Sequence, residues 1–592
     1  MTETSSHPPF RARLALALLC AAALALRFVG IDHGLPHRTE PDVFVVAQVE
    51  MEEPGFLEGA RADDLELSRE ANSAYPHLMA DLLASLPRAD AEALRTRGEA
   101  LNRAGLAFER ARGLAACFGA LLVLATYVLA RRFLDRGPSL FAAALIATSL
   151  LSFNFSQQAR PHMLVAAFAT LALTAALRTR ADNTMGNRLL ACLAVVGAAG
   201  SLQSGVLCAL PLSVSQVLLE DGGAASPRRS GRRWRRAAGL CACALLPAVL
   251  LFYPVFDPDR TVPLEQSPVV VDHLSDPSSY DGGGFARLLR DVAAYDPVLL
   301  GLGAAGGLWL LGRALFSRGR PTRATSRSRD AWVVASFALP YLLVFGLYRH
   351  STARYAIPLL PIVALLAAAG FSSALAGIRR RRGVVLAACL ALSLPAAACL
   401  RLALLRRAPD TSRAAASWLE EHASPTDSIW LAPGLDLPLV RSPESLANDA
   451  PHVLGVLRQP WFRFQASLDP VPAGWRWNLR TVPLVKDGRI DRTFAEKLRL
   501  DPPGAIASLG ADYVVVASFS DGAAMPRNRN MRAGLEQVGA VLVAGFAPFA
   551  DKLGRPRPMP YQDSGAWTTP FLEAVLRADL DGPAIEIYRL PR

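Results

Sequence analysis

The sequence lacks several features that would place it in a common enzyme class. None of its eight cysteines lies outside a long apolar run, so we expect no disulfides in its polar segments. It contains no Walker A loop, no zinc-protease HExxH helix and no GxSxG nucleophile elbow, which argues against enzymes built on those motifs. It also shows no internal repeat, the usual mark of secondary transporters.

The chain is unusually rich in apolar residues. Of its 592 residues, 52% are hydrophobic and the mean hydropathy is +0.25, too apolar for an ordinary soluble protein. Apolar runs recur at roughly the 20-residue length that spans a bilayer. We predict about eleven membrane helices, although the two runs beside Leu202-Gln203-Ser204 are open to interpretation as one broken helix. The runs are Leu14–Val29, Ala111–Ala130, Ser139–Phe153, Met163–Leu177, Leu189–Ser201, Gly205–Leu219, Ala237–Phe256, Val298–Leu311, Ala331–Tyr348, Tyr355–Ile378 and Val384–Leu400.

The net charge of +12 is explained by topology rather than by a nucleic-acid partner, and we predict no such partner. Arginines crowd alternate loops, as at Arg131–Arg136, Arg228–Arg236 and Arg379–Arg382, and the positive-inside rule places these loops in the cytoplasm. We predict a multi-pass protein of the inner (plasma) membrane, with a cytoplasmic N-terminus and the C-terminal region outside. Ala23-Leu24-Ala25 resembles a signal-peptide cleavage site, but the apolar run continues past it and favours an uncleaved anchor.

Three polar segments are then external: a first loop over residues 30–108, a second loop over 257–296, and the tail. Pro76 precedes a helical apolar pattern, and Phe285–Ala294 reads as an interfacial helix. The tail alternates helix-like and strand-like runs, which is typical of an α/β domain. We therefore predict a multispanning α-helical domain over residues 1–405 and a C-terminal extracytoplasmic α/β domain over residues 406–592. The tail runs are Ser412–His422 and Arg492–Leu500 for helices, and Ser428–Ala432, Asp512–Ala517, Ala540–Ala544 and Ile585–Tyr588 for strands.

Two apparent motifs have ordinary structural explanations. Gly301–Gly306 fits the GxGxxG pattern but lies in an apolar run, so we interpret it as small residues that allow close helix packing. His33 and His37 have the spacing of metal ligands on one helical face. We expect them instead to be isolated, exposed histidines.

The strongest functional signal is the acidic patch Glu40-Pro41-Asp42, which follows the first apolar run. Carboxylates cost several kcal/mol in hydrocarbon, so a pair at the membrane boundary indicates a functional site. Tyr75-Pro76-His77 lies in the same loop. The combination favours an enzyme that works at the membrane surface.

Five short motifs follow one another between residues 10 and 400. They are Gly34-Leu35-Pro36, Glu40-Pro41-Asp42, Tyr75-Pro76-His77-Leu78, Ser156-Gln157-Gln158-Ala159-Arg160-Pro161-His162 and Arg354-Tyr355-Ala356-Ile357-Pro358-Leu359-Leu360-Pro361. Their order resembles the GT-C superfamily of polyprenyl-phosphate-sugar-dependent glycosyltransferases, and within it the bacterial family 39 type. Relatives of that type include the protein O-mannosyltransferases and the lipid A aminoarabinose transferase.

By this resemblance, Asp42 occupies the position of the family's catalytic acidic residue and is the candidate general base. A carboxylate near hydrocarbon tends toward a raised pKa, which suits base catalysis near neutral pH. The structural alternative is that Asp42 caps a following helix. Relatives often have Glu directly after the Asp, whereas here Val43 follows. Glu40 either supplies the second carboxylate or that role is absent, which leaves divalent-metal dependence open.

A phosphate leaving group needs positive donors, and Arg160 and Arg354 are the candidates. A guanidinium binds phosphate through two hydrogen bonds and offsets charge on the leaving oxygen. The alternative for each arginine is an interfacial anchor. His162 and Tyr355 are candidate additional donors, and His77 and Tyr75 are weaker ones, since Tyr75 is equally explained as an interfacial aromatic.

The resemblance implies a hexosyl- or pentosyltransferase that inverts the anomeric carbon. It would move a sugar from a polyprenyl-phosphate donor to a glycan, lipid or protein acceptor of the envelope, among membrane lipids and on the outer side of the membrane. The alternative is a non-catalytic or transport membrane protein of envelope polysaccharide assembly. A transporter would place its charges in mid-span, whereas these charges cluster at predicted helix ends.

The arginine pattern gives a topological prediction. A reporter that is active only outside the cytoplasm should be active when fused after Arg592 and silent when fused near Ser230. The measurement is reporter activity in intact cells, normalised to fusion-protein abundance. The reverse pair of signals would overturn the predicted topology.

Overall fold

The computed structural model describes residues 10–38, 45–46, 76–86, 97–218, 227–253, 277–316, 324–377, 381–449, 460–466, 476–486, 489–490, 492–519, 526–551, 553–560 and 569–591. The chain divides into two compact units. Unit one comprises Met1–Phe28, Asn72–Ser85 and Arg112–Leu400, and unit two comprises Val29–Ala71, Leu86–Ala111 and Arg401–Arg592. The predicted domain boundary at residues 405 and 406 stays a prediction.

The helices up to the tail are mostly apolar, as the hydropathy pattern predicts. In the part of the chain that the structure describes, four short 3-10 helices lie among these α-helices, at Gln203–Cys208, Pro277–Ser279, Ala353–Leu359 and Leu375–Gly377. The α-helices are α1 (Phe10–Phe28), α2 (Leu78–Ala84), α3 (Arg97–Ala130), α4 (Arg136–Ala147), α5 (Leu150–Ser156), α6 (His162–Ala181), α7 (Met185–Ser201), α8 (Ala209–Val217), α9 (Pro227–Phe252), α10 (Gly283–Tyr295), α11 (Pro297–Phe316), α12 (Ala324–Leu347), α13 (Leu360–Ala374) and α14 (Arg381–Arg407).

Among the described residues, six helices are long and apolar enough to cross a membrane, or seven if the bent pair α4 and α5 is one span. This number of candidate membrane-spanning helices is below the predicted eleven because several of the apolar runs form short or interrupted helices. Helix α8 has nine residues, α7 has 17, and α1 carries three arginines near its ends. The backbone of Leu202 is extended. Helices α7 and α8 are therefore separate and are joined by the 3-10 helix Gln203–Cys208. The predicted helix after Pro76 and the predicted helix at Phe285–Ala294 are confirmed as α2 and α10.

Small residues set the packing of α11 against α13. A Cβ atom on Gly306 would overlap the carbonyl oxygen of Leu366, and one on Gly370 would overlap the Cα of Gly306. A Cβ atom on Gly303 would likewise be too close to the Val363 side chain. The two backbones approach so closely that no side chain fits between them. The prediction that Gly301–Gly306 is a packing motif is therefore confirmed.

Unit two contains an α/β domain around a five-stranded sheet in the order β4-β1-β7-β11-β8, and the predicted fold class is confirmed. Strand β1 is parallel to β4 and β7, while β11 runs antiparallel to β7 and β8. The strands are β1 (Ile429–Leu431), β2 (Val440–Arg441), β3 (Arg476–Trp477), β4 (Leu479–Thr481), β5 (Val485–Lys486), β6 (Arg489–Ile490), β7 (Tyr513–Ser518), β8 (Val541–Phe546), β9 (Phe549–Ala550), β10 (Pro556–Arg557) and β11 (Ala584–Arg589).

Helices cover both faces of the sheet at its central strand, β7. Along β7, Val515 and its alternate neighbours pack with Leu419 of α15, while Val514 and Val516 pack with Leu535 of α20 on the opposite face. This alternation is the two-residue period of a strand that is covered on both sides. The tail helices are α15 (Thr411–His422), α16 (Pro443–Asp449), α17 (Pro460–Ala466), α18 (Arg492–Leu500), α19 (Pro502–Ala507), α20 (Pro526–Gln537) and α21 (Phe571–Arg577).

Candidate functional site

Arg160 and His162 lie at the turn between α5 and α6 in unit one. Residues 157–161 form this turn, and His162 is the first residue of α6. The Arg160 backbone N–H donates to the Gln158 carbonyl at 2.8 Å, which tightens the turn. Arg160 is only 4% exposed and His162 only 3%. Such burial is unlike that of an arginine whose side chain reaches out to an interface.

Arg354 and Tyr355 lie on the 3-10 helix Ala353–Leu359, which packs against both α5 and α6. The ring centroids of His162 and Tyr355 are 6.5 Å apart in an edge-to-face arrangement. The Arg354 guanidinium lies over the Tyr355 ring, with its Cζ atom 5.4 Å from the centroid. The structure therefore brings the two predicted segments together, although they are almost 200 residues apart in the chain.

Aromatic rings extend this cluster along α12. Tyr355 stacks on Phe345 with centroids 4.5 Å apart, and Phe345 in turn contacts Tyr341 at 4.6 Å. Phe155 of α5 lies 6.0 Å from His162 on the other side. Offset and edge-to-face contacts of this kind are the favourable aromatic geometries. They fix Tyr355, and with it the position of the guanidinium above its ring.

The other predicted site residues are located as follows. His77 is buried directly before α2, and its backbone N–H donates to the Phe252 carbonyl of α9 at 2.8 Å. Glu40, Asp42 and Tyr75 lie outside the described residues, so their assignments stay predictions.

A buried carboxylate holds the short helix α5 in place. Asp296, between α10 and α11, accepts hydrogen bonds from the Ser149 hydroxyl at 2.6 Å and from the N–H groups of Leu150 and Leu151 at 2.7 and 3.2 Å. Ser149 Oγ also accepts from the Ser152 N–H at 3.1 Å. The first N–H groups of a helix have no partners within it, and a negative charge there also favours the helix dipole. Asp296 therefore fixes the start of the helix that leads into the Arg160 turn.

Arg27, in the last turn of α1, fixes the other end of α5. Its side chain is fully buried and donates to Ser156 Oγ at 3.0 Å and to Ser152 Oγ at 3.3 Å. The Gln157 side chain donates back to the Arg27 carbonyl at 2.9 Å. The roles of Arg27 and Asp296 were not predicted from the sequence. For Arg27 the available signal was a charged residue inside an apolar run, which is costly unless it has partners.

A second polar cluster lies in unit two and contains His37 and Arg38. His37 Nε2 is 3.1 Å from Asp410 Oδ2, and Arg38 Nη2 donates to Asp581 Oδ2 at 2.6 Å. The expectation that His33 and His37 are exposed is wrong, because they are 5% and 8% exposed. His33 Nδ1 lies 2.9 Å from the Gly30 carbonyl oxygen, and His37 is buried by its carboxylate partner from the remote tail.

The tail holds further buried charges near this cluster. Arg441 is fully buried and contacts Asp436 at 2.9 Å and Asp449 at 3.3 Å. Burial raises the pKa of Asp436, although Arg441 and the nearby His37 act in the opposite direction. Asp449 also accepts from the N–H and the hydroxyl of Thr481. Buried ionic groups require partners of opposite charge. Here the Arg441 guanidinium and the carboxylates of Asp436 and Asp449 are partners of one another.

The unit-one cluster has the chemistry of an anion site beside an apolar wall. Two arginines and a histidine offer N–H donors, and Tyr355 and Phe345 offer ring surface. Among the residues that the structure describes, there is no group of three or more His, Cys, Asp or Glu side chains suited to a metal ion.

No family model matches the sequence, and no curated protein sequence matches it. Several solved structures align with the chain at low identity. ArnT from Cupriavidus metallidurans, in the apo state, is 15% identical with a TM-score of 0.44, over 90% of this chain and 96% of that one. An oligosaccharyltransferase from Archaeoglobus fulgidus is 12% identical with a TM-score of 0.46, over 98% of this chain and 89% of that one. The Pmt1-Pmt2 protein O-mannosyltransferase complex of S. cerevisiae is 16% identical with a TM-score of 0.30, over 47% and 37%.

The role of Asp296 can be tested by replacing its carboxylate with the side-chain amide of asparagine. In Asp296→Asn, an NH₂ group replaces one acceptor oxygen, so at least one N–H or hydroxyl at the start of α5 loses its partner. A buried donor without a partner costs about 1–3 kcal/mol, so the thermal midpoint of the purified protein should fall. Asp135→Asn is the control, because the Asp135 side chain is exposed and makes no capping hydrogen bond at α4. Equal midpoints for the two variants in tryptophan-fluorescence melts would contradict the role.

Proposed function

We propose that the chain is a membrane glycosyltransferase of the GT-C type, which moves a sugar from a polyprenyl-phosphate donor to an envelope acceptor. The observation that carries the proposal is the packing of the Arg160–His162 turn against the 3-10 helix with Arg354 and Tyr355. These segments carry the cationic residues that we predict from the sequence to be candidates for phosphate binding. A buried guanidinium beside aromatic rings suits a ligand with a phosphate head and an apolar body.

In the proposed reaction, the acceptor oxygen forms a bond to the anomeric carbon while the bond from that carbon to the phosphate oxygen breaks. Asp42 accepts the proton of the acceptor group, and Glu40 is the candidate second carboxylate. The polyprenyl phosphate leaves with the bonding electrons, and Arg160 and Arg354 stabilise the charge that develops on it. Direct displacement of this kind inverts the anomeric carbon. His162, Tyr355, His77 and Tyr75 are the proposed additional contacts to the substrates.

The finer assignments follow from the same proposal. The transferred group is a hexose or pentose, the acceptor is a glycan, lipid or protein of the cell envelope, and the reaction takes place on the outer side of the inner membrane. Family 39 is the GT-C family that the order of motifs favours.

The base is tested by Asp42→Asn, which keeps the size of the side chain but removes its ability to accept a proton. Transfer should fall by on the order of a hundredfold or more, the usual scale for loss of a general base, while protein abundance stays nearly unchanged. Transfer is measured by mass spectrometry of envelope glycans in a strain whose only copy carries the variant.

Asp32→Asn is the matched control, since Asp32 is an exposed carboxylate ten residues earlier in the same segment. It should transfer at the wild-type rate. If Asp42→Asn kept most of the transfer, Asp42 would be a structural residue and Glu40 the next candidate. Identical glycans in wild-type and deletion strains would instead favour a non-catalytic protein.

Phosphate recognition is tested by Arg160→Lys, which keeps the charge but not the planar fork that donates two hydrogen bonds. We expect the loss of one charge-assisted hydrogen bond, about 1.5–3 kcal/mol, or roughly ten- to a hundredfold in donor efficiency. Arg354→Lys should behave similarly. The measurement is transfer rate against donor concentration for the purified protein in nanodiscs.

Arg290→Lys provides the control, because the Arg290 side chain on α10 is 56% exposed and serves no proposed role in binding. An interfacial anchor accepts lysine almost without effect, since both side chains reach the membrane surface. Unchanged kinetics for Arg160→Lys would therefore remove Arg160 from the site.

A further inference from the structure

The segment before α10 and the segment after α12 are held side by side in unit one. The Arg349 N–H donates to the Ser279 carbonyl at 2.7 Å. The Gly282 N–H donates in the opposite direction, to the Leu347 carbonyl at 2.9 Å. Because the two segments exchange backbone hydrogen bonds, their side chains have defined positions relative to each other.

Three aromatic rings meet where these segments touch. The centroid of the Tyr348 ring lies 5.6 Å from that of Tyr280 and 5.5 Å from that of His350. Tyr348 is only 7% exposed, while Tyr280 and His350 are half-buried. Tilted and edge-to-face contacts of this kind are favourable for aromatic pairs. The buried ring therefore supports two rings that are partly accessible, and we call the three the ring platform.

Polar side chains border the ring platform on both segments. Arg349 is exposed, and its Nε donates to His350 Nε2 at 3.1 Å, which requires a neutral imidazole. Asp281, next to Tyr280, is also exposed, and its Oδ1 accepts from the Gly283 N–H at 2.8 Å. A guanidinium has several donors and a carboxylate has two acceptor oxygens. The surroundings of the rings thus offer hydrogen-bond partners of both kinds.

The ring platform adjoins the guanidinium of Arg354. The Tyr348 N–H donates to the Val344 carbonyl at 3.1 Å, so Tyr348 continues the last turn of α12 and is a neighbour of Phe345 on it. Phe345 stacks on Tyr355, and Arg354 lies over the Tyr355 ring. Burial raises the pKa of the Tyr348 phenol, whereas the charge of Arg354 acts in the opposite direction, which indicates that the two groups are close.

A sugar ring matches this combination of groups. The C–H groups on one face of the sugar carry partial positive charge, which suits the negative face of an aromatic ring, and its hydroxyls need donors and acceptors. In a polyprenyl-phosphate sugar, the anomeric carbon is bonded directly to a phosphate oxygen. A site for the sugar must therefore adjoin the site for the phosphate, as the ring platform adjoins Arg354.

We propose that the ring platform is the subsite for the sugar of the polyprenyl-phosphate donor. Tyr280 and His350 contact the sugar ring, and Tyr348 is a positioning residue that holds both. Arg349 and Asp281 bond the hydroxyl groups. The proposal rests on the proposed function, to which it adds the residues that decide which sugar is accepted.

The test uses the polyprenyl-phosphate lipids extracted from the native host, which contain the donor whatever its sugar is. The immobilised full-length protein is exposed to this extract, and mass spectrometry compares glycosylated with free undecaprenyl phosphate in the bound fraction. We expect the wild type to enrich one glycosylated form by roughly tenfold or more over the extract. In Tyr280→Leu and His350→Leu this enrichment should fall to about twofold or less, because a contact to the sugar ring is lost. The Kd for pure undecaprenyl phosphate should stay within about twofold of wild type, since the phosphate site is intact.

Two control variants separate ring contact from other effects. Tyr280→Phe keeps the ring and should retain most of the enrichment. Tyr127→Leu removes a tyrosine that is also half-buried in unit one, but near the end of α3, beside the loop that we predict to be cytoplasmic. It should leave both the enrichment and the Kd unchanged.

The outcomes distinguish the sugar subsite from the function on which it rests. Full enrichment in Tyr280→Leu and His350→Leu overturns the subsite, and so does a wild type that binds both lipid forms in the proportions of the extract. An equal loss in Tyr127→Leu, or a Kd for undecaprenyl phosphate that rises together with the loss, overturns it as well, because the effect would then be one of general stability. If enrichment is lost as expected but wild-type and deletion strains have identical glycans, the transferase function fails and the sugar subsite stands.

Discussion

The carboxylate of Asp296 at the start of α5 is the interaction on which the candidate site of unit one depends. Helix α5 has only seven residues, and a helix of that length is not stable by itself. Its first N–H groups would be buried without partners if Asp296 and Ser149 did not accept from them. Arg27 holds the far end of the same helix. The turn with Arg160 therefore has a defined position because both ends of α5 are fixed by charged side chains from elsewhere in unit one.

The same arrangement recurs in unit two, where Asp410 caps α15 and also binds His37. In each case an aspartate at a helix N-terminus joins two segments that are far apart in the chain, by 146 residues for Asp296 and Leu150 and by 373 for Asp410 and His37. A capping carboxylate has lone pairs left after it accepts from the backbone, and these can bind a second partner. One residue thus completes a helix and fixes a remote loop at the same time.

This dual use explains what the sequence could and could not predict. The strands near Ile429, Tyr513 and Ile585 are visible in the sequence because local apolar runs decide them, and the close packing at Gly306 follows from small residues in an apolar run. The break after α4 is not visible, because Ser139–Phe153 reads as one apolar run and its interruption is stabilised by Asp296. The burial of His37 likewise depends on a partner that local pattern cannot indicate.

The cost of these interactions also bears on their purpose. A buried ion pair is often no more stabilising than apolar side chains of the same volume, because desolvation offsets most of the attraction. Buried ion pairs such as Arg38 with Asp581 are therefore poorly explained as sources of stability alone. What they supply is direction, since a hydrogen-bonded guanidinium has far fewer arrangements than a leucine in the same space. In this protein such directional contacts fix the helix that leads into the Arg160 turn in unit one, and they fix residues 37 and 38 against the tail within unit two.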